Sequence, residues 1–184
     1  MKFTVGTADL RLALRSVVPH VDPDPDFPQL HRVRLVVGPE NVTVSATNRY
    51  TVGHALVSMW DNLDGELDHF DLSPTDVKEI LVLFHGKANE GDEPDYTVRI
   101  DVTEKHLTVT DVSGLFAGKA LQLPRYPVED NFPDVETMIR DKITARAKSA
   151  ERLITSGKLL GLFMKAATAY GEPSSTRPAA PARC

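Results

Sequence analysis

The chain has 184 residues, a formal net charge of −5, 41% hydrophobic and 26% charged residues, and a single cysteine, Cys184. These values are typical of a globular protein of one ordinary domain, and they exclude a disulfide framework or a thiolate metal site within the monomer. No apolar run approaches the roughly 18 residues that a membrane-spanning helix needs, and the N-terminus lacks the apolar stretch of a signal peptide. We therefore expect a reducing, cytoplasmic location and no membrane partner.

Charge is distributed unevenly along the chain. Residues 1–139 carry 12 basic and 23 acidic residues, whereas residues 140–170 carry seven basic and two acidic residues. A basic segment on an acidic body indicates a face suited to a polyanion. A solvated basic helix without a partner is the alternative, and charge alone does not separate the two.

The first part of the chain predicts a strand, a helix and three further strands. Alternating apolar residues indicate strands, and Leu10 and Leu14 recur at helical spacing before Pro19 ends the helix. A polar corner, Thr47-Asn48-Arg49-Tyr50, interrupts the alternation between the last two strands. The predicted elements are a strand at 2–6, the helix, a proline-rich loop at 22–28, and strands at 30–38, 41–47 and 51–59.

The same order of elements then repeats. Ser73 as N-cap, Pro74 at the first helical position and Asp76 two residues later predict a helix start. Strands are predicted at 66–72, 95–102, 106–112 and 114–123. Two such β-α-β-β-β halves side by side predict an α+β fold with one continuous antiparallel sheet and two helices on one face.

The remainder of the chain predicts a connector, two helices and a tail. Residues 124–139 are proline-marked and predict an extended connector, and residues 144–171 predict two helices broken near 155–157. The tail is low in complexity and predicts disorder. The predicted units are therefore 1–139, a basic helical segment at 140–171 and a disordered tail at 172–184.

Residues that usually carry chemistry are scattered. The six histidines lack zinc-ligand spacing, and no phosphate-binding glycine motif occurs. Asp71, Asp76 and Glu79 form no evident catalytic set, since helix capping accounts for Asp76. We expect neither an enzyme nor a metal or cofactor.

Several strings, in order, resemble the bacterial sliding clamp, the beta subunit of DNA polymerase III. The resemblance is to the middle domain of the three-domain clamp chain and covers about residues 1–139. It rests on "SATNRYTVG", "LSPTDVKEILVLFHG", "GLFAGKALQLPRYP" and "NFPDVETMI", while "GKLLGLFMKAATAYGEP" is similar to the first helix of a further clamp domain. The resemblance implies the DNA-clamp fold plus C-terminal helices.

The resemblance also implies a shallow apolar pocket at the polar corner, where polymerases, the clamp loader and repair proteins insert a short hydrophobic peptide. Arg49 stands where the family has glycine, which adds bulk and charge at the pocket mouth. An ordinary strand corner is the alternative for Arg49 and Tyr50. The implied pocket residues are Leu30, Thr47, Arg49, Tyr50, Val52, Pro133 and Met138.

A clamp encircles double-stranded DNA with its helices facing inward, and it contacts phosphates rather than bases. Basic residues on those helices would give sequence-independent, salt-sensitive attraction. The implied DNA-contacting residues are Arg11, Arg15, Lys78, Arg146, Lys148, Arg152, Lys158 and Lys165. Ring closure would require a homo-oligomer.

The sequence supports two functional hypotheses. The first is a clamp-like processivity factor for DNA replication that binds duplex DNA and docks peptides of polymerase and clamp loader. The second keeps the fold without DNA, as an adaptor or clamp mimic that binds partner peptides.

Overall fold

A computed structural model describes residues 1–64, 68–85, 96–127, 131–144 and 155–170 of the chain. The described part contains eight strands and four α-helices. In chain order they are β1 (Lys2–Gly6), α1 (Thr7–Val17), β2 (Val33–Val37), β3 (Asn41–Thr47), β4 (Val52–Asp64), β5 (His69–Leu72), α2 (Pro74–Leu83), β6 (Thr97–Val102), β7 (His106–Asp111), β8 (Ala120–Pro124), α3 (Val135–Thr144) and α4 (Gly157–Ala167).

All eight strands belong to one antiparallel sheet, in the order β5-β2-β3-β4-β1-β6-β7-β8. β1 joins the two halves, because Val5 pairs with Met59 of β4 on one side and with Val98 of β6 on the other. β5 leaves its own half and pairs with β2, as in the pair Leu35 and Phe70. The predicted doubled unit and continuous antiparallel sheet are confirmed.

The core lies between the sheet and two helices that share one of its faces. Every second residue of β3, including Val42, Val44 and Ala46, is buried together with Leu14 of α1 and Val77 of α2. At about 25 cal/mol per Å² of apolar surface removed from water, this layer supplies most of the driving force for folding. α1 and α2 therefore share one face of the sheet, as predicted.

α2 begins with a capping box, as the sequence predicts. Ser73 Oγ accepts a hydrogen bond from Asp76 N at 3.1 Å, and Asp76 Oδ2 accepts one from Ser73 N at 2.8 Å. These reciprocal bonds satisfy two backbone donors that a helix end would otherwise leave unpaired.

The predicted extended connector at 124–139 is wrong in its last part. Asp134 Oδ1 accepts a hydrogen bond from Thr137 N at 3.0 Å, as an N-cap residue does, and α3 starts at Val135. α3 lies against the sheet face opposite α1 and α2, where the guanidinium of Arg34 lies 4.7 Å from the Phe132 ring centroid.

Strand bounds also differ from the prediction in several places. β2 begins at Val33 because Leu30 N and His31 N donate to Phe27 O and keep that segment in a turn. β4 continues to Asp64, β6 begins at Thr97, and residues 114–119 precede β8 rather than belong to it. The core is unaffected by these shifts.

α4 confirms the second predicted C-terminal helix, and it packs against α1 and the 3₁₀ turn Val18–His20. The first predicted helix of that segment and the predicted disordered tail lie outside the described residues. None of the described helices has the length and apolar character needed to cross a membrane.

Candidate functional site

The corner between β3 and β4 is held closed by its own polar side chains. Asn48 Oδ1 accepts hydrogen bonds from Tyr50 N at 3.1 Å, Thr51 N at 2.8 Å and Thr51 Oγ1 at 3.0 Å. Thr47 Oγ1 donates to Thr51 O at 2.9 Å. Because Asn48, Thr47 and Thr51 are buried, this network replaces water and fixes the turn that presents Arg49 and Tyr50.

Arg49 has a φ of 75°, a left-handed conformation that glycine adopts more easily than arginine. Two contacts hold its side chain in place. Arg49 Nη2 lies 3.1 Å from Oδ2 of the buried Asp22, and the guanidinium lies 4.4 Å from the Phe27 ring centroid. Arg49 therefore fastens the corner to the loop at 22–28.

His20 connects the corner to the end of α1. Thr51 Oγ1 donates its single proton to Asn48 Oδ1, so it accepts from His20 Nδ1 at 2.9 Å, which places the ring proton on Nδ1. Burial lowers the pKa of His20 below its usual value, so its ring is neutral near pH 7. Gly53 allows this approach, because a Cβ there would lie 2.8 Å from His20 Cδ2 and 3.0 Å from Val17 Cα.

A groove of about 520 Å³ lies between the corner and α4. Its apolar surface comes from the loop after α1 and from α4, and its polar lining consists of Asp22, Asn48, Arg49, Tyr50, Ser156 and Lys158. Tyr50 is 76% exposed, so its ring is free to contact an incoming group. We call this the corner groove; its apolar residues are Pro19, Val21, Pro23, Leu159 and Leu162.

The residues expected to form one pocket are distributed over several places. Arg49 and Tyr50 line the corner groove. Val52 lines a neighbouring groove of about 220 Å³ with His20 and Phe163, whereas Pro133 lines one of about 250 Å³ on the opposite sheet face. The others do not line the corner groove: Leu30 is buried beneath the loop at 22–28, Thr47 is buried in the corner network, and Met138 is exposed on α3.

Sequence reasoning missed the contribution of α4 to this site. Leu159 and Leu162 line the corner groove, while Leu160 is half exposed on another side of the helix. The sequence predicted this helix but not the surface that it covers. Ser156 caps this helix by accepting a hydrogen bond from Leu159 N at 3.3 Å.

The basic residues expected to contact DNA differ in their exposure and in their hydrogen bonds. Arg11 Nη1 donates to Leu81 O at 2.5 Å and to Phe84 O, so its guanidinium joins α1 to the end of α2. Burial, and secondarily the charge of Arg15, lower the pKa of Arg11. Arg15, Lys78, Lys158 and Lys165 are exposed, and Arg146, Lys148 and Arg152 lie outside the described residues.

Comparison with solved structures identifies the fold. The DNA polymerase III beta subunit from Pseudomonas aeruginosa superposes with a TM-score of 0.55 at 23% identity over 73% of this chain and 32% of that chain. The corresponding values for the beta subunit from Thermotoga maritima are 0.56, 19%, 73% and 32%. For the Helicobacter pylori beta clamp bound to a DNA ligase peptide they are 0.56, 16%, 73% and 33%.

These likenesses show that the chain has the sliding-clamp domain fold. No protein-family model and no curated protein matches the sequence. The chain spans about a third of the length of the clamp chains it resembles.

Proposed function

We propose that this protein is a clamp-fold docking protein that captures a short peptide with apolar anchors in the corner groove. The observation that carries the proposal is the groove itself: an apolar surface shared by the loop after α1 and by α4, with Tyr50 exposed at its rim. The peptides of polymerases and clamp loaders are the partners that the clamp resemblance suggests. The Helicobacter pylori clamp, with the same fold, binds a DNA ligase peptide.

The composition of the groove suits such a ligand. A leucine or phenylalanine side chain gains about 1.5–3 kcal/mol when it is fully removed from water, which the apolar surface of Val21, Leu159 and Leu162 allows. The ammonium of the exposed Lys158 supplies a polar group that orients a peptide backbone or its acidic side chains. Tyrosine is enriched among the residues that dominate binding energy, so Tyr50 is the expected anchor.

The test is a fluorescence titration with a synthetic peptide that carries adjacent leucine and phenylalanine. Tyr50→Ala is expected to weaken binding by about 30-fold, the equivalent of about 2 kcal/mol. Tyr126→Ala is the matched control, since Tyr126 is partly exposed and does not line the groove. Equal affinities for the wild-type chain and Tyr50→Ala would refute docking at this site.

A second candidate function is non-specific binding of double-stranded DNA by an oligomeric ring, as in a processivity factor. It is favoured by the exposure of Arg15 on α1 and Lys78 on α2, the two helices that share one face of the sheet. Lys158 and Lys165 of α4 add two exposed cations.

Salt dependence tests this second candidate. The slope of log affinity against log salt is about −0.9 for each phosphate contact, so Arg15→Glu with Lys78→Glu should reduce the slope by about two. Lys105→Glu with Lys119→Glu makes the same change of charge in the two loops that flank β7, outside the helices, and should leave the slope unchanged. Equal slopes in both double variants would contradict phosphate contact by the helices.

A further inference from the structure

The loop between β7 and β8 exposes an apolar pair that the fold does not use. Leu115 is 93% exposed and Phe116 is 83% exposed. Leaving two such side chains in water forgoes about 1.5–3 kcal/mol each, and adjacent exposed apolar groups mark an interaction site. We call residues 114–117 the apolar tip.

The base of this loop is fixed although its tip is exposed. Ser113 Oγ donates to Asp111 Oδ1 at 2.6 Å and accepts from Thr97 N at 2.9 Å. Backbone bonds from Gly118 N to Asp111 O, at 2.8 Å, and from Asp111 N to Lys119 O, at 2.9 Å, close the loop. The apolar tip is therefore presented on an ordered base, which lowers the entropy lost when it binds.

The apolar tip and the corner groove lie at opposite ends of α1. Asp111 and Lys119, which flank the tip, lie beside Thr7 at the start of α1. The groove is lined by Pro19 and Val21, which follow the end of α1. An 11-residue helix is about 16 Å long, so the tip of one molecule and the groove of another are suited to meet head to tail.

We propose that the corner groove of one copy of this chain takes the apolar tip of a second copy. The inference rests on the proposed function, because the groove is the same and the occupant is a segment of this chain. The groove offers Leu159, Leu162 and the exposed Tyr50 to two apolar side chains on a pre-formed loop. Such a contact is heterologous, so repetition gives a ring if the rotation closes and a filament if it does not.

Light scattering over a concentration series tests the proposal. At about 100 µM, a concentration suited to a small and weak interface, the wild-type chain should have a mass that rises with concentration above the 20.3 kDa of one chain. The double variant Leu115→Ser with Phe116→Ser should remain at one chain, and so should Tyr50→Glu. All three substituted side chains are exposed, so the folded state should be retained, and thermal unfolding checks this.

Mixing the two variants provides the sharpest test. The tip variant retains a groove, and Tyr50→Glu retains a tip. An equimolar mixture should therefore form heterodimers and no larger assembly, because each pair has only one intact tip and one intact groove. A symmetric interface through either surface would instead let the variant that retains this surface pair with itself in the absence of the other variant. Leu160→Ser with Met164→Ser is the matched control, because it removes exposed apolar surface from α4 outside the groove and should leave association unchanged.

Two results would overturn the inference: a wild-type chain that remains monomeric throughout, or association that persists in the tip variant. The proposed function is judged separately, by the titration with free peptide. Peptide binding without self-association would refute only the head-to-tail contact. Association that depends on the tip and on Tyr50, without any binding of free peptide, would refute only the capture of outside partners.

Discussion

The β3–β4 corner and the β7–β8 loop are the same connection in the two halves of the sheet, yet they are built differently. In the corner, Asn48 and Thr51 bond to the backbone and to His20, so the turn is closed against the protein. In the loop, Ser113 fixes only the base, and Phe116 remains exposed. The fold depends on the strands and helices of the doubled unit rather than on these two connections. The connections can therefore differ in structure and in role.

The largest difference should come from a glycine at or beside each connection, Gly53 and Gly118. Gly53→Ala would place a Cβ 2.8 Å from His20 Cδ2 and 3.0 Å from the backbone of Val17. Overpacking of this kind costs about 1–3 kcal/mol, and the nearby backbone favours the upper part of that range. Chemical denaturation measures the loss.

Gly118→Ala is the matched change in the loop. The three atoms nearest to its Cβ would all belong to the side chain of Asp111, the first at 3.1 Å, and Gly118 itself is exposed. We expect a loss below about 1 kcal/mol. A larger loss at Gly118 than at Gly53 would show that the loop, rather than the corner, is the rigid connection.

The second-largest difference in stability should come from breaking the hydrogen-bond network of each connection. Asn48→Ala leaves the buried donors of Thr51 without their acceptor, which costs about 2 kcal/mol. Ser113→Ala removes bonds that are only half buried, so water replaces them and the loss should be about half as large. Urea denaturation midpoints compare the two variants, and similar losses would contradict the closed character of the corner.

Arg49 gives a smaller, conditional effect. Arg49→Gly relieves a left-handed residue, worth about 1–2 kcal/mol, but it adds backbone entropy to the unfolded chain and leaves the buried Asp22 carboxylate unpaired. We expect a net loss of about 1 kcal/mol. In an Asp22→Asn background the same substitution should be neutral or stabilising, because the ionic partner is then gone. A loss of equal size in both backgrounds would exclude the ion pair as the cause.

The order of elements was predictable because its signals are local. Alternating valines specify β3, and Ser73 with Asp76 specifies the start of α2 within four residues. The β1 pairings with β4 and β6 follow from placing two such halves edge to edge. α3 was missed because its start depends on Asp134 acting as an N-cap directly after Pro133.

The candidate site was less predictable because its parts are distant in sequence. Tyr50 and Leu159 line the same groove although more than 100 residues separate them in the sequence, and no local pattern states which surface α4 covers. Arg11 was expected to contact DNA with a free guanidinium, but its guanidinium donates hydrogen bonds to carbonyl groups at the end of α2. The exposed Phe116 was placed in a predicted strand at 114–123, whereas it lies in the loop before β8.

The smallest expected effect is a dependence of stability on pH that originates at the corner. Burial lowers the pKa of His20 from its ordinary value of 6.5, and it lowers that of His54 against the opposing charge of Glu136. Below pH 6.5 the unfolded chain therefore binds protons before the folded chain does, so stability falls as the pH falls towards the folded-state pKa values. The slope is at most about 1.4 kcal/mol per pH unit for each proton.

Denaturation between about pH 5 and pH 7.5 separates this effect from that of the carboxylates. Hydrogen bonds lower the pKa of Asp68 and Asp134 from 3.8, despite the opposing effect of burial, and their loss of stability comes at lower pH. His20→Gln should flatten the curve in this range, because the substituted side chain does not titrate, and His54→Gln should flatten it by a smaller amount since Glu136 opposes the effect of burial there. A His20→Gln curve as steep as that of the wild-type chain would show that the corner does not keep its histidine neutral, and its closed network would then need another explanation.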